Sequence, residues 1–107
     1  MILVDNIPKN SILKTMNWTV NISNKASKAI QKLPKTVKQS LFLLLREIEI
    51  SGPVRGNWKN YGKLGKDLHH CHIKKGNPTY IVIWEIKDKQ IKLVEVAYAG
   101  THEKAPY

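Results

Sequence analysis

Three of the four histidines and the single cysteine of this 107-residue chain lie in one short segment, DLHHCHIKK, at residues 67–75. Imidazole and thiolate groups bind transition metals, and imidazole also transfers protons near neutral pH. Side chains alternate between the two faces of a β-strand. If this segment is a strand, alternation separates an outer set from an inner set, namely His70, His72 and Lys74 against His69, Cys71 and Ile73. Only the outer set is then expected to face solvent.

This alternation argues against a metal site in the segment. Only His70 and His72 can reach the same ion from a regular strand, so a third ligand would have to come from His102 or from an acid. The chain contains no Cys-x-x-Cys and no His-x-x-x-His spacing, which are common in metal sites. We therefore predict no metal and no other cofactor. We interpret Cys71 as a small buried hydrophobic residue rather than a nucleophile.

The strongest property of the whole chain is its positive charge. Eighteen Lys and Arg oppose eight Asp and Glu, which gives a formal net charge of +10. Such an excess favours a polyanionic partner, because phosphate groups neutralise it and release counterions. An acidic protein fits the charge as well as RNA or DNA does. Charge alone therefore predicts a binding partner but not its class.

The remaining sequence predicts the elements that position the histidines. Alternation and helical spacing give, in chain order, a strand at 17–23, helices at 25–33 and 34–50, and strands at 66–75, 80–86 and 91–100. Ser23 or Asn24 is the expected N-cap of the first helix, and Pro34 separates the two helices. Short turns between the last strands predict antiparallel pairing. The predicted fold is α+β, in the order β-α-α-β-β-β, with a helical hairpin packed on one face of a mainly antiparallel sheet.

Length and composition limit the organisation of the chain. Residues 17–107 form one predicted domain, and residues 1–16 are predicted to be an N-terminal extension. No segment approaches the ~20 apolar residues that cross a membrane. The first fourteen residues also lack the continuous apolar stretch of a secretory signal. A single cysteine agrees with a reducing compartment, so we expect a cytoplasmic protein with no membrane partner.

Three segments, taken in order, resemble one known family. They are WKNYGKLGKDLHHCHI at 58–73, YIVIWEI at 80–86 and VEVAYAGTHEKAPY at 94–107. Together they resemble the RelE/ParE superfamily of bacterial type II toxins, and most of all the RelE-type and YafQ-type mRNA endonucleases. The resemblance covers residues 17–107 and implies a RelE-like fold. It also implies a ribosome-dependent, metal-independent endoribonuclease that cleaves mRNA, arrests translation and is neutralised by a cognate antitoxin, in a toxin–antitoxin hetero-oligomer.

Metal-free RNA cleavage needs three chemical functions that residues of this chain can supply. A base removes the proton of the 2′-hydroxyl, an acid protonates the leaving 5′-oxygen, and a cation stabilises the charged phosphorane. We predict His102 as the acid and His72 as the base or as a group that orients the phosphate, with the reverse assignment left open. The other catalytic candidates are Lys59 and Lys63, for the scissile phosphate, and Tyr107, for stacking on a base.

Further basic and aromatic residues are candidates for binding the flanking RNA. They are Arg55, Lys66, His70, Lys74 and Tyr80 around the predicted strands, and Lys28 and Lys32 on the first predicted helix. The helical lysines belong to a row with spacings of three and four. That row is either a docking surface for ribosomal RNA or an ordinary solvated helix face.

Two other functions remain open from the sequence. A ParE-like inhibitor of DNA gyrase would share the scaffold without needing a histidine pair. A non-catalytic nucleic-acid-binding module would explain the charge alone. The endonuclease is the favoured hypothesis, because it gives both His72 and His102 a chemical role.

Overall fold

A computed structural model of the chain describes residues 17–106. The predicted N-terminal extension, residues 1–16, and the candidate Tyr107 lie outside the described residues. Seven elements and one 3₁₀ turn follow one another along this part of the chain. They are β1 (Thr19–Ile22), α1 (Asn24–Gln31), α2 (Lys35–Ser51), β2 (Gly62–Lys63), β3 (Leu68–Lys74), β4 (Tyr80–Asp88), β5 (Leu93–Thr101) and the 3₁₀ turn His102–Lys104.

The strands form a single mixed sheet in the order β1-β5-β4-β3-β2. β1 runs parallel to β5, and the other three neighbouring pairs are antiparallel. The helices α1 and α2 pack on one face of this sheet, so the predicted α+β fold is confirmed. The two-residue strand β2 was not predicted, because alternation cannot be detected over so short a segment.

Local signals in the sequence explain where the two helices begin and end. Ser23 Oγ accepts a hydrogen bond from the Ala26 amide at 3.1 Å, which makes Ser23 the N-cap of α1. Pro34 lies at the N-cap of α2. That helix ends at Gly52, whose amide bonds to the Ile48 carbonyl at 2.8 Å and whose φ of 98° suits glycine.

The core lies between α2 and the inner face of the sheet. The apolar residues that recur at helical spacing along α2 are all buried, namely Val37, Leu41, Leu44, Leu45 and Ile48. Trp84 of β4 is completely buried, and its indole Nε1 donates to the Pro53 carbonyl at 3.0 Å. Its ring stacks on His69 at 5.9 Å between centroids. This packing stabilises the sheet whose strands carry His70 and His72 on the other face.

The predicted division of β3 into two faces is also confirmed. His69, Cys71 and Ile73 are buried against the helical layer, whereas His70 and His72 are partly exposed. The buried His69 ring lies within hydrogen-bonding distance of the Tyr61 hydroxyl, with 2.7 Å between Nδ1 and the oxygen. Burial lowers the pKa of His69, and the nearby Lys63 adds to that effect. His69 is therefore a neutral core residue.

No helix among residues 17–106 has the length and apolar content that a membrane span requires.

Candidate active site

Two histidines meet at the end of the sheet where β4 begins. The rings of His72 and His102 are 5.6 Å apart between centroids, with an angle of 70° between their planes. His72 lies on β3 opposite Ile81 of β4. His102 follows β5 directly, and its amide donates to the Thr79 carbonyl at 2.8 Å. The central strand β4 therefore positions both histidines, one through each of its neighbours.

The electrostatics of the pair favour a neutral imidazole on His72. Partial burial lowers the pKa of His72, and the neighbouring His102, His70 and Lys75 lower it further because they disfavour a second positive charge. A neutral imidazole has a free lone pair and can accept a proton. His102 is exposed at the surface. The geometry thus offers a proton acceptor and a second imidazole within reach of one bound group.

A cleft opens beside the pair. It has a volume of about 270 Å³ and is lined by His72, Gly76, Asn77, Pro78, Thr79, His102 and Glu103. We call it the histidine cleft. It is small and open to solvent, whereas sites that enclose a complete small molecule usually have volumes of about 300–1,000 Å³. An extended chain that crosses the surface fits this shape better than an enclosed metabolite.

A second cleft also borders His72 and shares no other lining residue with the histidine cleft. Its volume is also about 270 Å³, and it is lined by Asn57, Trp58, Lys59, His72, Ile73, Lys74 and Lys75. We call it the lysine cleft. The amide of His72 donates to the Lys59 carbonyl at 2.8 Å. This bond joins the loop segment that forms one wall of the cleft to the β3 segment that forms the other. The structure thus brings the candidates Lys59 and Lys74 close to His72.

A carboxylate in α2 holds the segment that carries Lys59. One oxygen of Glu47, Oε1, accepts hydrogen bonds from Trp58 Nε1 at 2.9 Å, Asn57 Nδ2 at 3.0 Å and Arg55 Nη1 at 3.2 Å. The bonds from Asn57 and Trp58 are the main reason why the pKa of Glu47 is lowered, and the Arg55 guanidinium adds to them. Glu47 was missed by sequence reasoning, since its partners lie eight to eleven residues away in a loop.

The geometry also shows that Arg55 is committed to Glu47. Its side chain is only 16% exposed and forms an ion pair with that carboxylate at 3.2 Å. The structure therefore places the side chain of this RNA-binding candidate between the loop and α2 rather than beside the histidines. Its role here is to hold the loop.

Two other lysine candidates lie away from the pair. Lys63 is opposite His69 in the β2–β3 ladder, and opposed residues of a ladder share a face. It therefore projects on the face opposite to that of His72. Lys66 lines a different cleft with Asp67 and Lys87, at the end of the sheet where the Ile86 amide bonds to the Asp67 carbonyl. That end is remote from the start of β4.

The outer-face candidate His70 is held by the neighbouring strand. Its Nδ1 lies 3.0 Å from the Gly62 carbonyl. A Cβ on Gly62 would come within 3.3 Å of the imidazole, so this position favours glycine. His70 is thus fixed beside the pair rather than joined to it, although its charge contributes to lowering the pKa of His72.

Three of the RNA-binding candidates meet in a groove between α1 and the end of β5. The groove has a volume of about 450 Å³ and contains Lys28, Lys32 and Tyr80 together with Leu33, Tyr98 and Lys104. Tyr80 is partly buried against the core. The two helical lysines are exposed. The structure thus forms a basic groove that is separate from both clefts beside His72.

The cysteine of the histidine-rich segment is a core residue, as predicted. Cys71 is completely buried, and burial raises the pKa of its thiol to about 12. The nucleophilic thiolate is therefore scarce at neutral pH. Among residues 17–106, no group of three or more His, Cys, Asp or Glu side chains is arranged to hold a metal ion.

We expect the folded chain to resist thiol reagents. With the chain held at pH 7.5, Ellman's reagent should label Cys71 at least about a hundredfold more slowly than it labels the same chain in urea, because both burial and the raised pKa suppress the thiolate. The absorbance of the released thionitrobenzoate measures both rates. Equal rates would contradict the placement of Cys71 in the core.

Comparison with solved structures identifies the fold. The chain is similar to the isolated RelE toxin of E. coli, with 21% identity over 83% of this chain and 88% of that chain and a TM-score of 0.61. It is equally similar to an archaeal RelE–RelB complex from Pyrococcus horikoshii, with 21% identity over 84% and 100% of the two chains and a TM-score of 0.61. The E. coli RelBE toxin–antitoxin complex gives 22% identity, coverage of 78% and 94%, and a TM-score of 0.58.

These similarities show that the chain has the RelE fold. No protein-family model matches the chain, and no curated protein sequence matches it. At about one-fifth identity, the shared feature is the arrangement of helices and strands. The function therefore has to be argued from the site itself.

Proposed function

We propose that this chain is the toxin of a bacterial type II toxin–antitoxin system, acting in the cytoplasm as a ribosome-dependent, metal-independent endoribonuclease that cleaves mRNA and arrests translation. The observation that carries this proposal is the pair of imidazoles 5.6 Å apart, with lysines in the adjoining cleft. The RelE fold supports it, because the solved structures similar to this chain include RelE toxins.

The proposed reaction is an in-line transesterification. Neutral His72 removes the proton of the 2′-hydroxyl, and that oxygen forms a new bond to the adjacent phosphorus. The bond from phosphorus to the 5′-oxygen breaks, and His102, as the general acid, gives a proton to that oxygen. The products are a 2′,3′-cyclic phosphate and a free 5′-hydroxyl. The lowered pKa of His72 is the reason for assigning it the role of base.

Lys59 is the proposed source of positive charge for the phosphorane. It is exposed and lines the same cleft as His72. An ammonium group beside the phosphate stabilises the extra negative charge of the transition state more than it stabilises the substrate. The second lysine assigned to this task, Lys63, projects on the opposite face and is better suited to a contact outside the reacting centre.

The proposed partners are a cognate antitoxin, the ribosome and mRNA. Two of the similar solved structures contain a RelE toxin together with its RelB partner. A net charge of +10 favours association with an acidic protein as well as with RNA. The basic groove that holds Lys28 and Lys32 is the proposed docking surface for ribosomal RNA.

Expression of the chain without an antitoxin tests the proposal. Growth should stop, and incorporation of labelled methionine should fall by about tenfold within minutes while thymidine incorporation continues, because loss of mRNA affects translation first. Mapping of mRNA 5′ ends should show new ends within translated regions only. The matched control is the same transcript without its ribosome-binding site, which should remain intact.

Two other outcomes would assign a different function. Early induction of the DNA-damage response with translation preserved would identify a gyrase inhibitor of the ParE type. Binding to RNA without any new mRNA ends would identify a non-catalytic nucleic-acid-binding module. Either result would contradict the proposed nuclease.

A further inference from the structure

The lysine cleft has a charge pattern that the histidine cleft lacks. Its lining residues include three lysines, Lys59, Lys74 and Lys75, and no acidic residue. The histidine cleft has Glu103 at its margin and no lysine. His72 lines both clefts. An anion that enters the lysine cleft therefore lies next to the imidazole and meets only positive or neutral side chains.

The outer wall of the lysine cleft is fixed before any ligand binds. Glu47 holds the side chains of Asn57 and Trp58 by bonds of 3.0 and 2.9 Å, and the loop is closed by a Trp58 amide bond to the Arg55 carbonyl at 2.9 Å. Lys59 follows directly, and its carbonyl accepts the His72 amide at 2.8 Å. Preorganisation of this kind reduces the entropy lost when a ligand is bound.

A nucleic-acid backbone must leave the histidine pair in two directions. A chain whose scissile phosphate lies between His72 and His102 passes the histidine cleft on one side and continues past His72 on the other. Each further phosphate carries a negative charge that a lysine can neutralise. The lysine cleft is the adjoining surface whose lining offers such charge and contains no acidic residue.

We infer that the lysine cleft is a second anion subsite, in which Lys74 and Lys75 bind the RNA phosphate next to the scissile one, and that Glu47 is a positioning residue that builds its wall. The identity of the anion as an RNA phosphate rests on the proposed function. The existence of the subsite does not, since it follows from the lysines and the loop.

Because His72 lines the lysine cleft, its pKa reports whether a phosphate is bound there. Lys75 is close enough to contribute to lowering the pKa of His72. A phosphate between them would favour the protonated imidazole and raise that pKa. Titration of the full chain followed by NMR of the His72 Cε1 proton should therefore show a saturable upward shift as inorganic phosphate is added at constant ionic strength. The His70 resonance should move less.

Binding of a DNA hexanucleotide tests the lysines separately from catalysis. This probe has the phosphate backbone but no 2′-hydroxyl, so it cannot be cleaved by the proposed reaction. The double variant Lys74→Ala/Lys75→Ala should bind it at least about tenfold more weakly than the unmodified chain. The matched control is Lys87→Ala/Lys89→Ala, which removes the same charge at the other end of the sheet and should change affinity by less than about threefold.

Variants of Glu47 test the positioning role. Glu47→Ala removes all three bonds, whereas Glu47→Gln keeps an acceptor oxygen of the same shape and loses the charge. The phosphate-induced shift of His72 should be largest in the unmodified chain, smaller in Glu47→Gln and absent in Glu47→Ala. Glu85→Ala, which removes an exposed carboxylate of β4, should leave the shift unchanged.

The outcomes separate this inference from the proposed function. Equal hexanucleotide binding by the two double-lysine variants, or no shift of His72 with phosphate, would overturn the subsite. If phosphate raised the pKa of His72 in both Glu47 variants as much as in the unmodified chain, the positioning role of Glu47 would be overturned. Lysine-dependent binding in a chain that fails to cleave mRNA would leave the subsite standing and remove the nuclease function.

Discussion

His72→Ala and His102→Ala are each expected to lower single-turnover cleavage of ribosome-bound mRNA by about 10²–10⁴-fold, the usual contribution of a positioned general acid or base. Each substitution removes one of two imidazoles that lie 5.6 Å apart. Neither ring belongs to the apolar core, so both variants should remain folded. Quenched-flow measurement under saturating ribosome separates the chemical step from binding.

The double variant provides a further check on this result. Residues that act as a unit are not additive, so His72→Ala/His102→Ala should be slower than either single variant by much less than the product of their effects. The control is His70→Ala, on the same strand and the same face. Its ring is held against Gly62, and the saturated rate should fall by less than about tenfold. Cleavage at the unmodified rate by both single variants would exclude the pair as acid and base.

Trp84→Ala is expected to lower the free energy of unfolding by about 3–5 kcal/mol, as is usual when a buried tryptophan is truncated in a core. The side chain is completely buried, stacks on His69 and donates a hydrogen bond to Pro53. Urea unfolding followed by far-UV circular dichroism measures the change. His102→Ala, which is expected to be inactive, is a suitable background, because a chain without the proposed activity should be produced without arresting growth.

An exposed apolar residue supplies the control for this stability measurement. Val54 is 61% exposed, and Val54→Ala should change the free energy of unfolding by no more than about 0.5 kcal/mol. A loss of less than about 1 kcal/mol in Trp84→Ala would show that the site collapses around the missing ring. It would contradict the conclusion that the packing of Trp84 stabilises the sheet.

Much of the fold was predictable because its signals are local. Ser23 caps the first helix as expected, and Pro34 separates it from the second. The alternation in β3 correctly placed Cys71 in the core and His72 on the outer face. These signals depend on neighbouring residues, which a single sequence displays directly.

The features that were missed depend on contacts between distant residues. Pairing of β1 with β5 joins residues more than seventy positions apart, and no periodicity encodes it. The bonds from Arg55 and Trp58 to Glu47 are equally hidden, because a carboxylate in a helix gives no sign of which loop it will hold. The face on which Lys63 projects depended on the unpredicted strand β2. Charge and residue type indicated the candidates, but only the register of the sheet could show which of them lie near the histidine pair.

The two imidazoles are brought together by a continuous antiparallel meander, β3 to β5, that occupies only the last part of the chain. The helices supply the opposite wall of the core and line neither the histidine cleft nor the lysine cleft. Apart from Glu47, which holds the loop beside the lysine cleft, substitutions on the outer surface of α1 and α2 can therefore accumulate without altering the reacting groups. In evolutionary terms, the helical surface can diverge between related chains while the strand and loop residues around the histidine pair are retained.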